Sequence, residues 1–304
     1  MKYVAKQIPE GINTSPEHPL KELFLLLSGA GVLLVIVFLI LMLLSDLLVR
    51  YIPEQTERQW FSESRLSFLQ QESSLDTAIA VDHDLARLVK QLNPPESDPA
   101  RYSIRLIESD TPNAFITPGG HIFVTTELLH LVHSENALSM VIAHEMAHQI
   151  HRHPIRSMGR GVVIAVALMI FTGIDGSEWV TEVLANSINL GLLAYSRDQE
   201  READRTGLQL LTAYYGHASG SSDFFSHMKQ QQSVSQSGLS EYFSTHPNTD
   251  QRLLLLQQHE AKEPAELTPL PDSIRHFIDS VTQFKSDAPL NLKKKLVKQA
   301  YTIK

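Results

Sequence analysis

The 304-residue chain contains no cysteine. Disulfides and thiolate metal sites are thereby excluded, and histidine, glutamate and aspartate remain as the side chains able to hold a transition metal. A basic surplus is also missing. With 34 acidic against 26 basic side chains, the formal net charge is -8 and the pI is near 5.9, which argues against nucleic acid as the main partner. No internal repeat is evident. From Leu23 to Ser45 there is no ionisable side chain at all. As a helix this stretch spans about 34 Å, which fits a bilayer core of about 30 Å. A cleaved signal peptide would need a shorter apolar core and a small-residue cleavage site, and Asp46 to Arg50 offers none. Residues 23–45 are therefore expected to form a single transmembrane anchor in contact with lipid, following a polar segment at 1–22.

Hydrophobic residues make up 43% of the chain, enough for a substantial core. At its centre stands His144-Glu145-Met146-Ala147-His148, the pattern HExxH. On an α-helix, residues four apart differ by about 40° in direction, so both imidazoles share one face and can share one metal ion. Glu145 is one step round, where its carboxylate can hold a water without being a ligand. Ser134 is the expected N-cap and Glu135 a favourable first-turn charge. Leu138, Val141, Ile142 and Ile150 supply an apolar surface beside the histidines. His151 and His153 are expected in the last turn of the same helix, where cationic side chains suit the C-terminus, with structural and not ligand roles.

Before this helix, residues 46–79 read as a linker leading into helix, and Val81, Leu85, Leu88, Val89 and Leu92 recur at helical spacing. Tyr102 to Glu108 has strand-like alternation. A hairpin is expected from Asn113 to Thr125, with Pro118-Gly119-Gly120 as its turn. A strand beside the metal helix can serve as an edge for an extended peptide, or simply as core. After the helix, the apolar run Gly161 to Ile174 is too short to span a membrane comfortably; it and Val183 to Tyr195 read as two packed or membrane-dipping helices. Ala213 to Gln232 and Leu253 to His259 read as helix, and 263–304 as a proline-punctuated linker, a short helix and a basic tail.

A second chemistry-bearing stretch runs from Tyr195 to Arg205. Glu200 and Asp204 share a helix face at i, i+4. One carboxylate could bind the metal while the other accepts a hydrogen bond from a ligand imidazole. Glu202 is expected to point elsewhere.

With both motifs in view, the chain resembles the membrane-associated zinc metallopeptidases that include HtpX, the mitochondrial Oma-type proteases and the CAAX prenyl proteases. The resemblance is carried by Asn113-Ala114-Phe115 with Gly119-Gly120, by the HExxH with Arg152-His153 behind it, by Ser196-Arg197 leading into Glu200-Arg201-Glu202-Ala203-Asp204, and by Thr245-His246-Pro247 followed by Arg252. It implies an α+β, zincin-type (gluzincin-like), mostly helical metallopeptidase domain with a small β-hairpin or sheet, here at 80–262. It also implies that the third zinc ligand is the first glutamate of ExxAD, which falls on Glu200, and leaves Asp204 as the outer partner. The chain departs from polytopic relatives in having one convincing span.

The expected activity is that of a membrane-anchored endopeptidase with one Zn²⁺ per subunit, acting on unfolded or misassembled polypeptides in protein quality control. His144, His148 and Glu200 are the expected ligands and Glu145 the general base. Mn²⁺ or Co²⁺ fits the same ligand types. His246, held on a loop by Pro247, has two competing roles: a catalytic donor to the oxyanion, or a fourth ligand that keeps the enzyme latent. The rival class is a zinc-stabilised chaperone or assembly factor that binds without cutting, for which Glu145 has no use. Lysines 2, 6 and 21 before the anchor balance arginines 50, 58 and 65 after it. The α-amino group tips the count toward an inside N-terminus and a periplasmic, or otherwise non-cytoplasmic, catalytic domain.

Overall fold

The computed structural model describes residues 19–62, 76–172, 195–232, 246–247 and 250–287. The expected helix at Val183 to Tyr195, the spacer after Gln232 and the basic tail lie outside the described residues, Tyr195 itself excepted. Helix α1 (Pro19–Val49) contains the apolar stretch and is long and apolar enough to cross a membrane. Its leucines and isoleucines are exposed almost throughout, which suits a helix whose solvent is lipid. It is followed by α2 (Glu54–Trp60) and α3 (Asp76–Leu92). As its spacing predicts, α3 turns Val81, Leu85, Leu88, Val89 and Leu92 into the core.

Three strands come next: β1 (Ser103–Ile107), β2 (Ala114–Thr117) and β3 (His121–Thr125). Their order is β1-β3-β2, with β3 parallel to β1 and antiparallel to β2. The hairpin turn has φ of 91° at Gly119 and 87° at Gly120, and a Cβ at Gly120 would meet the Arg101 carbonyl oxygen at 2.1 Å. Only glycine fits that turn. β2 is a sheet edge among the described strands and lies against the metal helix.

Short α4 (Thr126–Leu131) leads to α5 (Glu135–Ile150), the HExxH helix. The Ser134 hydroxyl accepts from the Ala137 N–H as its cap. Every residue of α5 but Ile150 is buried, so the histidines stand on a central helix enclosed on all faces. Leu138, Met140, Ile142 and Met146 are wholly buried, each stabilising the fold by about 1.5–3 kcal/mol. The connection to α6 (His153–Thr172) corrects one expectation. His151 caps α5, Arg152 takes φ 58°, and His153 opens the next helix instead of closing the last turn. The apolar run at 161 likewise belongs to a longer helix that begins eight residues earlier and packs along α1. Hydropathy stops at Arg156 and Arg160, but the helix includes them.

Helix α7 (Arg197–Tyr215) packs more extensively on α5 than any other element does. Its start carries a reciprocal cap between Ser196 and Gln199, and Gly216 ends it at φ 79°. The expected single helix from Ala213 to Gln232 is therefore two, with α8 (Asp223–Gln232) after the break. Helices α9 (Asp250–Glu260) and α10 (Asp272–Asp287) complete the description. The core takes in Leu270, Ile274 and Phe277, which follow residue 262.

Candidate metal centre

The centre lies where α5 and α7 cross. Gly207 permits that crossing: a Cβ there would stand 3.2 Å from His144 N and 3.3 Å from its Cα. The close approach brings α7's buried carboxylates onto the α5 imidazoles. Glu200 Oε2 is 3.5 Å from His144 Nε2, and Oε1 is 3.4 Å from His148 Nε2. The two Nε2 atoms are 3.1 Å apart. His246, in a bend and fully buried, sets Nδ1 3.2 Å from Glu200 Oε1 and Nε2 3.7 Å from Glu145 Oε1. One donor atom from each of His144, His148, Glu200 and His246 lies within 4.8 Å of the others.

The donor chemistry fits a cation at this point. His144 Nδ1 is 3.0 Å from Asp204 Oδ1, close in distance though off the ideal hydrogen-bond direction. His148 Nδ1 is 2.9 Å from His153 Nδ1, whose Nε2 faces Glu202 Oε2 at 3.2 Å. With each Nδ1 proton directed outward, both Nε2 lone pairs converge on one spot beside a carboxylate. Two lone pairs and an anion facing one another call for positive charge between them. Burial alone opposes charge on His144, yet Asp204 and Glu200 outweigh it and bring its pKa up to about 9. His148 and His153 stay neutral: burial holds the first well below its ordinary value and the second at about 4.

Glu200 and Asp204 stay ionised. Burial works against both, but His246 and Arg252 hold Glu200 well below the carboxylate range, and Arg252 brings Asp204 to about 2. Arg252 donates from Nε to Asp204 Oδ2 at 2.6 Å and from Nη2 to Oδ1 at 2.8 Å, and its Nη1 pairs with Glu200. Glu145 is the exception. Both of its oxygens are buried without a hydrogen-bond partner, and burial raises its pKa.

His144, Glu145, His148, Glu200, Asp204 and His246 thus lie together here. Glu202 points away from the four-residue cluster: half exposed, it faces His153 Nε2 and stands 3.3 Å from His151 Nδ1. Sequence reading gave no role to Tyr195, whose ring stacks on His148 with centroids 3.8 Å apart. Its place just before the capped start of α7 was the available signal.

Comparison with known proteins places these features in context. The model of peptidase family M48 matches residues 77–260. The mitochondrial metalloendopeptidase OMA1 of Schizosaccharomyces pombe is 29% identical over 159 residues, covering 52% of this chain and 46% of that protein. The Bos taurus protein of that name is 26% identical over 312 residues, covering 90% and 59%. A Yersinia pestis beta-barrel assembly-enhancing protease is 28% identical over 162 residues, covering 50% and 33%. The chain thus spans about half the length of the first relatives it matches.

Proposed function

The chain belongs to peptidase family M48, and from that premise we propose that it is a membrane-anchored zinc endopeptidase cleaving unfolded or misassembled polypeptides. His144, His148 and Glu200 are the zinc ligands, one ion per subunit. The observation that carries this reading is the convergence of two imidazole Nε2 atoms and the Glu200 carboxylate beside a buried Glu145 whose oxygens have no hydrogen-bond partner. Zinc held there supplies Lewis acidity, drawing charge off the scissile carbonyl and making water easier to deprotonate. Glu145 accepts the proton of the attacking water as its oxygen bonds to the carbonyl carbon. It then gives that proton to the leaving nitrogen as the C–N bond breaks. Asp204 and His153 fix the two imidazole rings, and Arg252 holds both α7 carboxylates in place. A binding-only role would leave Glu145 without a use.

The substrate runs along β2, an edge among the described strands, where main-chain pairing accepts many sequences. The quality-control assignment draws on the relatives' names, one of which is an assembly-enhancing protease. α1 anchors the protein in lipid, with the catalytic domain outside the cytoplasm; a phosphatase fused after Lys304 reads this orientation and is silent if the domain faces inward. His246 is the fourth ligand of a latent site, a role its burial and its 3.2 Å approach to Glu200 support. The activity is tested on the full-length protein in detergent micelles with casein. Cleavage abolished by chelator and restored by stoichiometric Zn²⁺ supports the proposal, and cleavage indifferent to chelator sinks it.

A further inference from the structure

Glu57 lies outside the segment matched by the family model, on the short helix α2 just beyond the anchor, yet it is completely buried. An ionised carboxylate inside a protein must be paired and hydrogen-bonded, and Glu57 shows three such contacts. Its Oε1 accepts from Gly119 N at 2.8 Å and from Gln149 Nε2 at 2.9 Å, and its Oε2 accepts from Arg152 Nη2 at 2.6 Å. Those donors belong to the β2–β3 turn, the end of the HExxH helix and the α5–α6 turn. Arg152 also donates from Nη1 to the Ile52 carbonyl at 2.6 Å. The anchor-proximal segment thus grips this arginine twice.

Arg152 is the one non-glycine residue with positive φ among the described residues. That conformation is disfavoured for a side chain with a Cβ and persists where surroundings enforce it. It reverses the chain between α5 and α6, and the residue delivered by the reversal is His153, against His148 Nδ1. On the other side, His151 is tied to Thr206 Oγ1 of α7 at 2.8 Å. A flat stack on Tyr195 and the contact at Nδ1 with His153 hold the His148 ring on the side away from Glu200. We propose that Glu57 is a positioning residue of the metal centre: through Arg152 it holds the left-handed turn that sets His153 on His148, making the anchor-proximal segment part of the catalytic unit. The inference deepens the peptidase reading and rests on it for the identity of the ion.

The test uses full-length protein in micelles. Zinc affinity is measured by competition with a chromophoric chelator, alongside kcat, KM and the melting temperature at saturating zinc. Glu57→Gln keeps the size of the side chain but removes the charge facing Arg152. It should weaken zinc about 10- to 100-fold, the usual consequence of losing an outer partner of a ligand histidine, and should lower kcat with little change in KM. Arg152→Lys should do the same, and the double variant should be no worse than the single ones, because both break one linkage. Arg58→Gln, on the same helix but paired with Asp98 at the surface, should leave zinc affinity unchanged. Should Glu57→Gln fail to fold, Arg152→Lys against Arg58→Gln decides alone. Wild-type zinc affinity in the Glu57 or Arg152 variant overturns the proposal, as does an equal loss in Arg58→Gln, which would reduce Glu57 to mere docking of α2. Zinc competition needs no proteolysis, so a wild-type protein that binds zinc without cleaving would count against the peptidase reading and leave this one standing.

Discussion

Glu200 faces two imidazoles, His246 and the Arg252 guanidinium at once, and its charge is what those groups share. Glu200→Gln should therefore lower zinc affinity by more than the roughly 10- to 100-fold that follows loss of an outer partner. Glu202→Gln should retain zinc, because Glu202 is half exposed and an amide oxygen still accepts from His153. Metal content after dialysis checks both; loss in Glu202→Gln with retention in Glu200→Gln would reverse the ligand assignment. His246→Ala separates that residue's two roles. A latent-site ligand predicts a severalfold rise in basal casein cleavage at full zinc occupancy, whereas a catalytic donor predicts a fall of about a hundredfold or more. We expect the rise. At this scale the sequence was informative wherever spacing implied geometry: i, i+4 pairs placed His144 with His148 and Glu200 with Asp204. It put His153 in the last turn of α5, because an arginine at φ 58° carries no local signal of the kind a glycine would, and its support comes from Glu57 nearly a hundred residues away.

Among elements, the α5–α7 crossing decides whether a centre exists. A methyl group at Gly207 would press on backbone atoms of His144, which cannot swing aside as a side-chain tip can. Gly207→Ala is thus expected to destabilise by about 1–3 kcal/mol despite the better helix propensity of alanine. Its melting temperature should fall by several degrees and its zinc affinity should drop; an unchanged melting curve would show that the crossing has slack. The caps of α5 and α7, the α3 stripe and the hairpin were legible because each depends on residues within a few positions. The length of α6 was not. Its arginines interrupt the hydropathy, and Arg160 gains from another helix, pairing with Asp46 of α1 at 3.3 Å.

For the whole molecule, that pairing joins anchor to catalytic body. A Cβ at residue 159 would lie 3.9 Å from the Ser45 Cβ, close to the mean Cβ separation in disulfides of about 3.8 Å. Because the chain has no cysteine, Ser45→Cys with Gly159→Cys should form an internal disulfide on mild oxidation. Leu27→Cys with Gly159→Cys, a mobility-shift control, should not. Failure of the first pair would detach α6 from α1. The fold class and the pairing of motif with motif were readable from sequence, since a family-wide order of residues spans 77–260. The contribution of residues 46–60 was not readable, because a single buried carboxylate on a seven-residue helix leaves no pattern. The central claim is that Glu145 is the base of a zinc-dependent hydrolysis and not a ligand. It is tested most directly by measuring casein cleavage by wild type and Glu145→Gln at equal, independently determined zinc content. The account predicts full zinc occupancy, a normal melting curve and a rate lower by about a hundredfold or more in the variant; cleavage at the wild-type rate with zinc in place would contradict it.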